Sequence, residues 1–151
     1  MKARDIMTPT PLAVTATDDV SKAAEIMRYE KIGGVPVVQD LARPRLVGLI
    51  TDRDITTRYV ARRHRGPCAV AEVMTPAPLK TVTGDADVSE IVSLMESAEV
   101  RRIPVVSDDG ILIGIVAEAD LVAKLPAAES LPARKRVKQY AATPHYVLTV
   151  H

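Results

Sequence analysis

Two residues three positions apart, Thr51 and Asp54, offer the clearest chemistry in the chain. They lie in Gly48-Leu49-Ile50-Thr51-Asp52-Arg53-Asp54-Ile55, where an apolar run rich in β-branched residues gives way to a polar and apolar alternation, so a buried strand should pass into a helix near Thr51. At that spacing the hydroxyl and the carboxylate share one face of the first helical turn, beside backbone N–H groups that the helix leaves unpaired. Such a pair suits a sugar diol, since a carboxylate accepts from both hydroxyls and the threonine donates or accepts as needed. The same spacing also describes a capping box, in which the two side chains satisfy the helix end itself. No Ser-His-Asp, Cys-His, paired-carboxylate or metal constellation accompanies the pair, which argues against an enzyme. Cys68 is the single cysteine, with no His-and-acid setting expected to activate it and no partner for a disulfide. His64, His145 and His151 lack metal-ligand spacing with one another, so no metal site is expected.

The elements that must position Thr51 and Asp54 are drawn twice. Gly114-Ile115-Val116-Ala117-Glu118-Ala119-Asp120-Leu121 repeats the motif, and Met7-Thr8-Pro9-Thr10-Pro11-Leu12 recurs as Met74-Thr75-Pro76-Ala77-Pro78-Leu79. The register between the copies changes only near Lys80 and in the turn from Ser107 to Gly110, which leaves every strand and helix in phase. Val20, Ala23, Ala24 and Met27 stand at helical spacing, as do Val88, Ile91, Val92 and Met95, so each copy has an amphipathic helix with one buried stripe. Thr17 and Asp85 hold matching positions and are expected as N-caps. Val35-Pro36-Val37-Val38 and Ile103-Pro104-Val105-Val106 read as short strands, their early proline fitting an edge or first position. Each copy is thus strand, helix, strand, strand, helix, an α/β unit at the lower limit for burying a core alone, so the two should pack as a pseudo-symmetric pair.

Composition is compatible with that plan. The 151 residues are 47% hydrophobic and 26% charged, and without Phe or Trp the core must be aliphatic. A net charge of +1 gives no strong electrostatic reason to expect nucleic acid or an anionic membrane as partner. There is no apolar run near the ~18 residues of a membrane span and no signal-like segment, so a cytoplasmic protein is expected. A basic link, residues 58–65, and a tail containing Arg134-Lys135-Arg136-Val137-Lys138 leave nucleic-acid binding or a protein-interaction adaptor as the alternative. The run Pro144 to His151 has strand character.

The Met-Thr-Pro opening, the Asp-Val-Ser helix start, the hydrophobic-Pro-Val-Val strand and the Gly-hydrophobic-hydrophobic-Thr-Asp-Arg-Asp-Ile close, each present twice in whole or in part, identify a resemblance. From about Ala3 to Leu125 the chain resembles tandem cystathionine β-synthase (CBS) domain proteins, in which two such domains form a Bateman module. The resemblance implies two pseudo-symmetric domains at residues 1–66 and 67–125, each a small three-stranded sheet with two helices, followed by a tail at 126–151. It implies a regulatory sensor that takes AMP, ADP, ATP or a related adenosyl ligand between the two halves, with no tightly bound cofactor, a homodimer built on the helices beginning at Val20 and Val88, and an unidentified regulated protein. Carried over residue by residue, Thr51 and Asp54 would hold the ribose, Leu79, Lys80 and Val82 would lie beside the adenine, and Val100, Arg101, Arg102, Ile103 and Pro104 would lie beneath base and phosphates, with Arg53 also reaching phosphate. Guanidinium groups suit that task because they bind phosphate oxygens bidentately and stay charged; the alternative for Arg101 and Arg102 is a solvated helix end. The mirror cleft keeps Asp120 but has Ala117 in place of the hydroxyl, and Gly33, Gly34, Val35 and Pro36 offer no arginine, so one good site and one weak or empty one are expected.

Overall fold

The computed structural model describes residues 1–127. The expected basic tail at Arg134 to Lys138 and the expected strand at Pro144 to His151 lie outside the described residues. The first repeat runs through α1 (Ala3–Ile6), β1 (Thr8–Pro9), β2 (Val14–Thr15), α2 (Val20–Glu30), β3 (Gly34–Val38), β4 (Leu46–Thr51) and α3 (Asp52–Ile55), whose winding continues as a π-helical stretch over Thr56–Val60. The second follows with α4 (Val70–Val73), β5 (Thr75–Pro76), β6 (Val82–Thr83), α5 (Val88–Ala98), β7 (Arg102–Val106), β8 (Leu112–Ala117) and α6 (Glu118–Lys124).

The two long helices form as their stripes predict. Val20, Ala23 and Met27 are buried on α2, and Val88, Ile91, Val92 and Met95 on α5. Both end on a residue in the left-handed region, Lys31 at φ 54° and Glu99 at φ 53°, which releases the chain into the following strand. Their N-caps are Asp19 and Asp87 rather than the expected Thr17 and Asp85. Ahead of α2 the physical reason is a turn closed by Thr15 N–H donating to Asp18 Oδ2 at 2.8 Å, which delays the helix start; Asp19 then accepts from Ser21 N–H at 3.0 Å, whereas the Asp87 side chain makes no such cap bond on α5.

Each repeat has four strands rather than the expected three, and each four-stranded sheet takes three from its own repeat and one from the other. The sheets are ordered β2-β3-β4-β5 and β1-β8-β7-β6, so the outer strand beside β4 comes from the second repeat and the one beside β8 from the first. The Met-Thr-Pro segments make this exchange, and glycines in the receiving strands permit it. Thr8 and Pro9 align with Ile115 and Gly114, while Thr75 and Pro76 align with Leu49 and Gly48. A Cβ on Gly48 would stand 2.7 Å from Met74 Sδ and 2.9 Å from the Thr75 carbonyl, and one on Gly114 would stand 2.8 Å from Met7 Cγ and closer still to its sulfur. The glycines and methionines of the motif are thus complementary parts of one crossing. Pro36 is accommodated because β2 pairs only with Val37 and Val38, leaving the β2 side of Pro36 without a ladder bond to lose.

The cores are exchanged in the same sense. One gathers Val14, Val20, Val35, Val37 and Ile50 with Cys68, Val70 and Val73 from the start of the second repeat. The other gathers Val82, Ile91, Met95, Ile103, Val116 and Leu121 with Ala3 and Ile6 from the N-terminus. Ile6 is completely buried there, a placement worth ~1.5–3 kcal/mol for a side chain of its size, so the exchange is integral to both cores. Among the described residues no helix is long and apolar enough to cross a membrane.

Candidate functional site

Thr51 ends β4 and caps α3, and the capping box forms in full. Its hydroxyl accepts from Asp54 N–H at 3.1 Å, while Asp54 Oδ2 accepts from Thr51 N–H at 3.0 Å. The Gly33 carbonyl accepts from Asp52 N–H at 3.0 Å, tying this helix start to the head of β3. Asp54 is buried, with Thr75 Oγ1 3.5 Å from its Oδ2 and Arg58 4.0 Å from its Oδ1. The cap and the sugar-binding reading are therefore compatible: the Thr51 hydroxyl, used as an acceptor, keeps its proton to donate, and Asp54 Oδ1 keeps lone pairs that the cap does not use.

Beside this helix start opens a cleft of about 950 Å³ between the repeats. Of the residues expected at the better site, Thr51, Arg53, Leu79, Lys80, Val100, Arg101, Arg102 and Pro104 line it. Asp54, Val82 and Ile103 are buried and are not among its lining residues, the last two belonging to the aliphatic core of the second repeat. Three acids on the lining were not singled out in the sequence: Asp52, Glu96 and Glu99. Asp52 sits inside the motif that carries Thr51 and Asp54, which was the available signal. Glu96 lies in the last turn of α5, at the edge of the cleft.

Arg102 does more than the expectation assigned to it. Gly34 and Arg102 hold matching places in the two repeats, each opening a strand opposite the residue that caps the following helix, Thr51 and Ala117 respectively. The Arg102 side chain reaches across to its own counterpart: a Cβ on Gly34 would meet Arg102 Cδ at 2.9 Å, and one on Gly33 would meet Arg102 Nη2 at 2.5 Å and Asp52 Oδ2 at 3.2 Å. The two glycines thus form the bed on which one guanidinium lies. Burial lowers the pKa of this guanidinium, the nearby Asp52 carboxylate works against that, and Arg101 adds to it; it remains a cation. On the mirror side Asp120 Oδ2 accepts from Ala117 N–H at 2.8 Å, so half of a capping box persists without a hydroxyl. Gly33 is partly exposed there, and Gly34, Val35 and Pro36 are buried.

One expectation is corrected: Cys68 does have a histidine and an acid beside it, the ligand atoms of His64, Cys68 and Glu72 all lying within 4.8 Å of one another. The sequence contained the signal as His-x-x-x-Cys-x-x-x-Glu, which a comparison of the histidines with one another could not detect.

The CBS domain family model matches residues 3–61 and 70–127. Hypoxic response protein 1 of Mycobacterium tuberculosis is 36% identical over 124 residues, covering 82% of this chain and 85% of that protein. The crystal structure of Hypoxic Response Protein I with two coordinated zinc ions superposes with a TM-score of 0.73 at 35% identity, over 83% of this chain and 100% of that one. CBSX2 in complex with AMP gives a TM-score of 0.69 at 27% identity over 81% of this chain and 94% of that one. The CBS domain pair of protein MJ0100 in complex with 5-methylthioadenosine and S-adenosyl-L-methionine gives 0.71 at 25% over 82% and 94%. With both repeats matched, and with each repeat forming one α/β unit of an exchanged pair, the chain belongs to the CBS domain family as a tandem pair.

Proposed function

We propose that this CBS pair is a regulatory sensor whose ligand is an adenine nucleotide or related adenosyl compound, bound in the cleft beside Thr51. The observation that carries the reading is the composition of the cleft: Thr51 from the first repeat faces Arg101 and Arg102 from the second across one continuous opening. A ligand bridging sugar and phosphate contacts would clamp the repeats together, and a difference in affinity between two shapes is what a sensor requires. Structural relatives with AMP, 5-methylthioadenosine or S-adenosyl-L-methionine support the adenosyl class. Within that class the cleft favours a nucleotide of low charge, because four cations, Arg53, Lys80, Arg101 and Arg102, are offset by Asp52, Glu96 and Glu99. The module acts without catalysis, in the cytoplasm, by passing a change of shape to another chain. Its domains divide near residue 66, as the sequence repeats do. In the basic link Arg58 donates through Nη1 to the Val73 and Met74 carbonyls at 3.3 and 2.9 Å, which withdraws that one cation from a nucleic-acid surface.

Thermal shift over AMP, ADP, ATP, NAD and S-adenosylmethionine tests the reading. Saturation at ~100 times Kd adds about 2.7 kcal/mol of stability, and the absence of any shift at millimolar ligand would refute it. Arg102→Ala should weaken AMP and ATP by about tenfold to a hundredfold, the equivalent of a charge-assisted hydrogen bond of ~1.5–3 kcal/mol, while leaving adenosine nearly unchanged. Equal losses for adenosine and AMP would mean that Arg102 acts on the shape of the cleft and not on phosphate.

The protein should also be a homodimer. A pseudo-two-fold chain presents matching faces suited to an isologous contact, and the outer sides of α2 and α5 alternate charged residues with small ones. Light scattering at micromolar concentration should return twice the 16.3 kDa of the chain; a monomer mass there would rule the dimer out.

A further inference from the structure

We propose that His64, Cys68 and Glu72 form a site for a zinc-class divalent cation, on the link between the repeats and apart from the nucleotide cleft. Their ligand atoms lie within 4.8 Å of one another. Around a tetrahedral zinc, with Zn–S near 2.3 Å and Zn–N near 2.0–2.1 Å, ligand atoms stand ~3.3–3.7 Å apart, so side-chain adjustment on the order of 1 Å closes the site. A thiolate, an imidazole and a carboxylate together select zinc over magnesium or calcium, which prefer oxygen-only shells.

The backbone already fixes all three donors. Cys68 N–H donates to Asp19 Oδ1 at 2.9 Å, and its carbonyl accepts from Val20 N–H at 2.8 Å, so the cysteine is pinned to the start of α2. The His64 ring stacks on Tyr59 with centroids 5.0 Å apart, and His64 N–H donates to the Tyr59 carbonyl at 3.1 Å. Tyr59 Oη in turn donates to the Gly66 carbonyl at 2.9 Å, closing the loop that carries the histidine. Glu72 spends Oε2 on Ala69 N–H at 2.9 Å and has its other oxygen for a cation. Cys68 is buried while His64 and Glu72 are exposed, which leaves the fourth position open to water.

A catalytic use of the same triad is the competing reading, and the environment opposes it. Burial, and after it the Glu72 carboxylate, push the Cys68 thiol above its ordinary range, whereas a nucleophile needs its thiolate favoured. A cation supplies the compensating charge: the thiol releases its proton to solvent as the metal–sulfur bond forms. Occupied, the site would staple residues 64–68 of the link to α4, whose Val70 and Val73 belong to the core of the first repeat.

Titration of the full-length protein with Co(II), then displacement by Zn(II), decides the matter in the absence of nucleotide. Because Cys68 is the only cysteine, a thiolate-to-cobalt charge-transfer band can come from no other residue. The expected result is one equivalent per chain with that band, lost in Cys68→Ser, and zinc affinity lowered by at least ~100-fold in His64→Gln and in Glu72→Gln, more than loss of an outer-shell partner causes. Should Cys68→Ser fail to fold, the two exposed substitutions still decide. Absence of the band in the wild type, or wild-type zinc affinity in both His64→Gln and Glu72→Gln, would overturn the proposal.

Discussion

Gly114→Val is expected to destabilise the protein by at least about 1–3 kcal/mol, the usual range for added bulk in a filled core. For a domain of this size that lowers Tm by roughly 2–4 °C per kcal/mol. The new side chain would enter space held by Met7, whose Cγ lies 2.8 Å from where the Cβ must go. Swinging the Met7 side chain relieves only part of the clash, because its Cβ stands 3.1 Å away on backbone held by the Met7 N–H bond to the Ala3 carbonyl at 2.9 Å and by the pairing of Thr8 and Pro9 with β8. Gly48→Val should behave alike through Met74 and the Thr75 carbonyl, which as backbone yields less readily. The informative measurement is a double-mutant cycle by chemical denaturation. Met7→Ala opens a void where Gly114→Val needs room, so the pair should be less destabilised than the sum of the singles. Strict additivity, or a neutral Gly114→Val, would mean that β1 is not held across the repeats as the structure has it.

Asp54→Ala should lower affinity for an adenosyl ligand by about tenfold to a hundredfold, the loss of a charged acceptor worth ~1.5–3 kcal/mol. Asp54 also serves the cap, so the same substitution should cost about 1 kcal/mol of stability by itself. Asp120→Ala separates the two effects. Its carboxylate makes the matching bond to Ala117 N–H at 2.8 Å, but its helix start has no hydroxyl, and the neighbouring strand opens with glycines covered by Arg102. Both variants should lose comparable stability, and only Asp54→Ala should lose affinity. Calorimetric titration beside thermal denaturation reads both quantities. Equal affinity losses, or two tight sites per chain, would show that the clefts are equivalent after all.

The sequence determined the local elements and their duplication, because both are written in short-range patterns. The stripes from Val20 to Met27 and from Val88 to Met95 could bury one face only as helices, and the β-branched runs ending at Thr51 and Ala117 could continue only as strands giving way to helices. The family followed from the order of those motifs, while the motif positions named only part of the cleft lining, which Leu49, Asp52, Thr75, Pro78, Met95, Glu96 and Glu99 complete and from which Asp54, Val82 and Ile103 are absent. The tertiary structure decided where the pieces went. Nothing local tells the Met7 segment to join β8 instead of its own repeat's sheet; the two placements share one sequence signature, and only the fit of a methionine against a glycine in the other repeat separates them. The same holds for Arg102, whose reach to Gly33 and Gly34 depends on a pseudo-two-fold axis that no stretch of sequence contains. It holds as well for the meeting of His64, Cys68 and Glu72, which a bend at Gly66 and the anchoring of Cys68 by Asp19 bring about. Side chains brought together by long-range packing leave no periodicity in the chain, and so they become legible only once the fold has closed.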